Sequence, residues 1–274
     1  MILVDLFCGV GGAAKGYADA GFEVIGVDNV AQPRYPFRFI EGDAMAALDT
    51  WTMDIPWKGL HPDNFDVIHA SPPCPAYSHL SNRFPSKAPK LIPFVRRYMK
   101  AINSTFEMLY VIESVEGAKP DMENPFRLHG GMFGQRIYRP RLFETNAVLA
   151  APPRGDRPRD PVSIYGRYED GRILRTRVDG STLRAASLEE AQVAMAMPWA
   201  DWHGLKDAVP PIYTRWIGRQ LLESRGKAPL PTLADQLRAL VCQYCTVHAP
   251  TESPHTECFN LTEMADWLDA RHAG

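Results

Sequence analysis

Cys74 follows two prolines in the run Ser71-Pro72-Pro73-Cys74-Pro75. Proline fixes φ and keeps the chain extended, so this thiol belongs to a rigid loop rather than to a packed core. That setting suits a nucleophile; a buried structural cysteine is the alternative. Glu113 lies near the end of a later apolar run, Tyr110–Val115. A thiol and a carboxyl group facing one crevice suit conjugate addition to a pyrimidine. The thiolate attacks carbon 6 while a protonated Glu hydrogen-bonds the ring nitrogen that gains electron density. A surface acid at a strand end is the alternative for Glu113. A second set of residues opens the chain, Asp5-Leu6-Phe7-Cys8-Gly9-Val10-Gly11-Gly12. Its glycines let the backbone approach a ligand closely. Asp28 lies 16 positions beyond Gly12. A carboxylate there can accept two hydrogen bonds from ribose hydroxyls, and Asp43 could contact an adenine amine. This set points to a nucleoside-type cofactor, although any doubly wound protein can show it. Cys8 reads as packing beside the glycine turn rather than as a reactive thiol.

The remaining cysteines fall in the tail. Cys242-x-x-Cys245 and His255-x-x-Cys258 have the spacing of one tetrahedral zinc site, with His248 as a substitute ligand. A loosely ordered tail with free thiols is the alternative. Five cysteines in a chain read as unexported argue against a disulfide framework.

These residues need elements to position them. Ile2–Phe7 reads as a buried strand and Ala13–Ala20 as a helix stopped by Gly21. Glu23–Val27, Phe37–Ile40, Phe65–Ala70 and Tyr110–Val115 read as further strands. A helical stretch follows Asp43, and Phe94–Leu109 reads as a helix. The alternation predicts an α/β fold, a doubly wound, mostly parallel sheet covered by helices. Ligands of such sheets bind outside the carboxyl ends of the strands, where Cys8, Asp28, Asp43, Cys74 and Glu113 all fall. In the second half, Ala150–Asp160 reads as a loop and Val162–Val178 as weak strand alternation. Leu188–Met197 and Ile212–Ser224 read as helices, and Gly226–Pro231 as a linker.

Composition bounds the class. The 274 residues are 45% hydrophobic and 23% charged, which excludes disordered and fibrous classes. No stretch of about 18 consecutive apolar residues exists, so no membrane partner is expected. The first strand begins at residue 2, from which no leader and a cytoplasmic location are expected. The formal net charge is −2. It is unevenly spread: Arg127–Arg184 holds twelve Arg, no Lys and six acidic residues, net +6, against −8 elsewhere. A basic segment inside an acidic chain is a footprint for a polyanion; a solvated Arg-rich surface is the alternative.

The motifs resemble those of the cytosine-5 DNA methyltransferase family, in particular its compact phage and actinobacterial members. Asp5–Gly12 resembles the family's first cofactor motif and Pro72-Pro73-Cys74 its nucleophile motif. Glu113-Ser114-Val115 resembles its Glu-Asn-Val motif, and Arg139-Pro140-Arg141-Leu142-Phe143 the Arg motif that follows. Ala208-Val209-Pro210-Pro211, running into Ile217-Gly218, resembles the closing motif. The motifs occur in family order over about residues 1–225.

The resemblance implies the fold of S-adenosylmethionine-dependent methyltransferases and transfer of a methyl group to carbon 5 of a cytosine flipped out of double-stranded DNA. It implies Cys74 as covalent nucleophile, Glu113 as the acid on the ring, and Arg139 and Arg141 as residues that position the base and the catalytic loop. It implies a cofactor pocket of Phe7, Cys8, Gly9, Gly11, Gly12, Asp28, Asn29, Asp43, Ala44, Pro73, Ala208 and Val209. The expected division is a catalytic domain over 1–143, a short target-recognition segment over 144–187, the chain's return over 188–225, and a tail over 226–274. A monomer and a restriction-modification or phage setting are expected. Three positions depart from the pattern: Ser114 where Asn is usual, Asp207 where Asn is frequent, and Pro75 where Gln is frequent. None removes a catalytic atom, so activity is expected, with an altered pocket or loop closure. The short recognition segment and the near-neutral net charge keep open a pyrimidine methyltransferase acting on RNA or a free nucleotide; an inactive DNA-binding relic is a third reading, against which the intact Cys74, Glu113, Arg139 and Arg141 speak.

Overall fold

The computed structural model describes residues 1–73, 76–77, 88–159, 161–164, 167–169, 172–174, 183–184 and 187–228. Cys74 and the tail residues Cys242, Cys245, His248, His255 and Cys258 lie outside the described residues.

Five strands form the parallel part of one sheet: β1 (Ile2–Leu6), β2 (Glu23–Asp28), β3 (Arg38–Glu41), β4 (Val67–Ala70) and β5 (Leu109–Ser114). Between them run the helices α1 (Gly12–Ala20), α2 (Ala44–Thr52) and α3 (Ile92–Phe106). Two further strands, β6 (Phe126–Leu128) and β7 (Arg141–Thr145), complete a sheet of order β3-β2-β1-β4-β5-β7-β6. β7 is antiparallel to both of its neighbours. The order reverses beside β1, which opens a crevice above the carboxyl ends of β1 and β4. The expected doubly wound sheet is present, in the strand order of the S-adenosylmethionine-dependent methyltransferase fold.

Central strands buried on both faces read as continuous apolar runs, and β4 (Val67-Ile68-His69-Ala70) is buried at every position. α3 buries Ile92, Val95, Arg96, Met99 and Ile102, the stripe of an amphipathic helix. One face of the sheet packs against α2 and α3 around Trp51, Ile68, Met99 and Ile112. The other packs against α1 and α6 (Pro211–Ser224) around Leu3, Tyr17, Phe143 and Tyr213.

After β7 come the short strands β8 (Val162–Ser163), β9 (Arg167–Glu169), β10 (Arg172–Leu174) and β11 (Leu183–Arg184). They are followed by α4 (Leu188–Met195), α5 (Trp202–Asp207) and α6. α4 and α5 share a smaller core with Ile137, Val162 and Ile164.

Several boundaries differ from expectation. α3 stops at Phe106 because Glu107 turns into the left-handed region at φ 50°, and β5 starts at Leu109. The weak alternation over 162–178 resolves into separate strands of two or three residues. β6 and β7 were not anticipated, since neither belongs to a strand–helix–strand unit. No helix among the described residues is long and apolar enough to cross a membrane.

Candidate active site

The glycine turn leaves β1 through two residues with left-handed backbone, Phe7 at φ 57° and Gly9 at φ 49°. A Cβ on Gly9 would meet no heavy atom within 4 Å, so the turn is open to a ligand at that point. The neighbouring strand end holds the turn in place. The Gly9 amide donates to Asp28 Oδ2 at 2.9 Å, and the Val30 amide donates to Oδ1 of the same carboxylate at 3.0 Å. The Gly42 amide donates to the Asp28 carbonyl at 2.8 Å, tying the end of β3 to that of β2. Asp43 caps α2 by accepting from the Met45 amide at 2.8 Å. Asp28 and Asp43 thus stand at adjacent strand ends, each with lone pairs left over.

Phe7 and Gly9 are half-buried, while Asn29, Asp43 and Pro73 are exposed. Cys8, Gly11, Gly12, Ala44, Ala208 and Val209 are buried. Burial, with Asp5 and Asp28 adding like charge, pushes the Cys8 thiol far up, which disfavours the thiolate form that a nucleophile needs. Ala208 and Val209 reach the turn from the far end of the chain. A Cβ on Gly12 would lie 2.3 Å from the Val209 carbonyl oxygen. Thr214 Oγ1 donates to the Ala13 carbonyl at 2.8 Å, and Trp199 Nε1 to the Val10 carbonyl at 2.8 Å.

Glu113 stands at the carboxyl end of β5 and is 5% exposed. Arg141 Nε lies 2.9 Å from Glu113 Oε1. This is an ion-pair approach, because no aligned hydrogen bond falls on Oε1. Burial raises the Glu113 carboxyl above the usual carboxylate range, against the opposing pull of Arg141, a Ser71 hydrogen bond and Arg139. A buried carboxyl group with a raised proton affinity and one unfilled oxygen can donate a proton to a ring nitrogen.

The two arginines of the Arg motif differ in what they hold. Arg141 faces Glu113. Arg139 Nε donates to the Ala208 carbonyl at 2.9 Å and Nη2 donates to the Lys206 carbonyl. It thereby binds the segment before α6 to the start of β7. Its own backbone sits at φ 27°, strained for a residue with a side chain. Tyr213 Oη on α6 donates to the Arg139 carbonyl at 3.0 Å. Ser114, at the usual Asn position, is 1% exposed and its hydroxyl has no hydrogen-bond partner among the described residues.

Sequence reading passed over His69 and Ser71. His69 is fully buried on β4, with Tyr17 Oη 3.0 Å from Nδ1 and Ser71 Oγ 2.9 Å from Nε2. A signal was present: a His and a Ser two apart on one strand share a face, and this pair leads directly into Pro72-Pro73-Cys74. Among the described residues no group of three or more His, Cys, Asp or Glu is placed to hold a metal ion.

Residues 1–118 match the family model of C-5 cytosine-specific DNA methylases. A curated relative, the type II methyltransferase M.AgeI of Thalassovita gelatinovora, is 30% identical over 89 residues. That match takes in 30% of this chain and 21% of the relative's length. In fold, the chain is similar to a crystal structure described as a DNA modification methyltransferase encoded within an E. coli prophage. The TM-score is 0.51 at 15% identity, over 83% of this chain and all of that one. A likeness to S. pombe Dnmt2 methyltransferase has a TM-score of 0.47 at 12% identity, over 81% of this chain and 98% of that one. The residues that match this family model are the ones that carry the glycine turn, the Pro-Pro-Cys run and Glu113.

Proposed function

We propose that the protein methylates carbon 5 of cytosine in double-stranded DNA through a transient bond between Cys74 and the base. The observation that carries this reading is the buried Glu113 with Arg141 Nε at 2.9 Å, one strand away from the loop that delivers Pro72-Pro73-Cys74. The cytosine leaves the duplex stack at a cost of a few kcal/mol, offset by contacts in the crevice. The Cys74 thiolate attacks carbon 6 while Glu113 gives its proton to ring nitrogen 3. Carbon 5 then carries the electron density needed to take a methyl group. Loss of the carbon-5 proton restores the double bond and expels the Cys74 thiolate, and ring nitrogen 3 returns its proton to Glu113.

The residues at the strand ends fit S-adenosylmethionine. Asp28 and Asp43 would offer their carboxylates to the ribose hydroxyls and the adenine amine, and the open space at Gly9 would admit the ligand beside the backbone. Phe7, Asn29 and Pro73 border the same crevice. Bound there, S-adenosylmethionine supplies the methyl group. Ala208 and Val209 brace the turn from behind. Residues 144–187, with their excess of arginine, are assigned to target recognition, where phosphate contacts fix the register of the protein on the duplex.

An oligonucleotide duplex carrying 5-fluorocytosine tests the reading, because fluorine cannot leave carbon 5 as a proton does. With S-adenosylmethionine present, the protein should form an adduct that survives denaturation, and Cys74→Ala should form none. Single-stranded RNA and deoxycytidine nucleotides serve as parallel substrates. An adduct or labelled methyl transfer on those alone would replace DNA as the substrate, and none on any of them would end the proposal.

A further inference from the structure

Next to the Arg motif two loops cross. One joins β6 to β7 and includes Gly131, Arg136 and Tyr138; the other runs over residues 154–159. The crossing is tight. A Cβ on Gly131 would run into the Asp156 carbonyl, and one on Gly155 into the backbone of Gly131 and Met132. Only glycine permits so close an approach of two backbones. The Val162 amide donates to the Arg136 carbonyl at 2.6 Å and ties the two chain segments together again further on.

Tyr138 stands at this crossing with arginines around it. Arg127 on β6 donates from Nη2 to Tyr138 Oη at 2.7 Å, and its Nε lies 2.7 Å from Glu116 Oε1. That pairing holds the hydroxyl edge of the ring. Arg157 comes from the other loop, with its guanidinium carbon 5.0 Å from the centre of the Tyr138 ring. A guanidinium gains from an aromatic face without spending its N–H donors there. Arg136, Arg154 and Arg157 are exposed, and neither Arg136 nor Arg154 makes an ion pair among the described residues. Residues 128–159 contain six arginines and, besides the buried Glu144, one acid, Asp156. Two of the six, Arg139 and Arg141, serve the site, so the positive surplus of the crossing lies on its surface. Tyr138 is three residues from Arg141, which keeps their Cα atoms within about 11 Å. The crossing therefore borders the crevice in which Arg141 faces Glu113.

We propose that this crossing is a platform for the phosphates of duplex DNA, with Arg136, Arg154 and Arg157 as the contacting cations and Tyr138 as the residue that positions Arg157. The inference deepens the methyl-transfer reading and rests on it for the identity of the polyanion. It also reaches outside the recognition segment, since Arg136 and Tyr138 precede residue 144. A surface that needs only solubility is served as well by lysine, and Arg127–Arg184 contains none. The planar fork of arginine matches a phosphate with two parallel bonds. Loops pinned at two glycines set these forks before the duplex arrives. Such contacts fix the duplex beside the crevice and carry no base information.

The test measures binding and needs no turnover. A fluorescent duplex of arbitrary sequence is titrated with the full chain between about 50 and 200 mM salt; the logarithm of the affinity falls with that of the salt by about 0.9 for each phosphate contact. Arg136→Gln, Arg154→Gln and Arg157→Gln should each make the slope shallower by about 0.9, and the triple variant by about three times as much. Tyr138→Ala should take away what Arg157→Gln takes away, and the two together no more. Tyr138→Phe, which keeps the aromatic face, should hold the parent slope. Arg38→Gln, at an exposed position at the start of the edge strand β3, removes the same charge elsewhere and should leave the slope unchanged. A triple variant with the parent slope would overturn the proposal. So would an Arg38→Gln protein that flattens the slope as much as the others, or a slope lost on single-stranded RNA alone. A parent that transfers no methyl group while the slopes fall as stated defeats the functional reading alone. A parent that methylates the duplex while the triple variant keeps its slope defeats the platform alone.

Discussion

At the scale of the residue, the two arginines of the Arg-Pro-Arg run divide the work that the sequence suggested they share. Arg141 goes to Glu113 and Arg139 to the carbonyls of Lys206 and Ala208. Where a guanidinium ends up is decided by its tertiary neighbours, so this division could not be read from spacing. The consequence is testable, because a guanidinium presents a planar fork to two acceptors and an ammonium does not. Arg139→Lys should leave one of the two carbonyls without a donor and cost about 1–3 kcal/mol in urea unfolding. A stability within experimental error of the parent would mean that the contact with the Ala208 segment carries no weight. The strand-end positions of Glu113, Asp28 and the glycine turn were legible for the opposite reason: each follows a local apolar run that specifies it. His69 and Ser71 carried only their spacing as a signal, and a buried histidine on a strand is more often core than site.

At the scale of the element, the parallel half of the sheet was legible because each strand is an apolar run bounded by glycine, proline or a helix. β6 and β7 escaped because they are short, antiparallel to their partners and separated by short 3-10 helices rather than by an α-helix. Their place depends on a contact far away in sequence. Arg96 on α3 donates from Nε to Glu144 Oε1 at 2.5 Å and from Nη2 to Oε2 at 2.7 Å. The Glu123 amide adds a bond to Oε2 at 2.7 Å, and Arg96 Nη2 also donates to the Asp121 carbonyl at 2.5 Å. Both charged residues are buried. This clamp holds β7, and with it Arg141, in register against β5. Removing one partner strands the other charge, so Glu144→Ala should cost about 3–5 kcal/mol. The paired replacement Arg96→Met with Glu144→Leu should cost clearly less than the sum of the single changes. Denaturant midpoints of the three variants measure this; additive losses would show that the pair does not act as a unit.

At the scale of the whole molecule, the fold buries titratable groups of opposite sense along one face of the sheet. Burial, with Asp28 adding like charge, raises Asp5 well above the ordinary carboxylate range, and burial raises Glu113. Native protein therefore holds these protons to higher pH than the unfolded chain does, and their share of the stability is lost as pH rises through the folded values. His69 works the other way. Burial depresses it from 6.5 to about 3, so the unfolded chain takes up a proton that the native ring refuses. Its share of the stability is present above pH 6.5 and is lost as pH falls toward 3. In weakly acidic solution the two effects oppose each other, and the parent's profile by itself does not separate them. The difference between parent and His69→Asn does, because the variant keeps Asp5 and Glu113 and lacks only the ionisable ring. Measured by urea unfolding, the stability gap between parent and variant should shrink as pH falls from 8 to 4, by on the order of a few kcal/mol. A gap that stays constant across that range would mean that His69 already exchanges its proton with solvent in the native state.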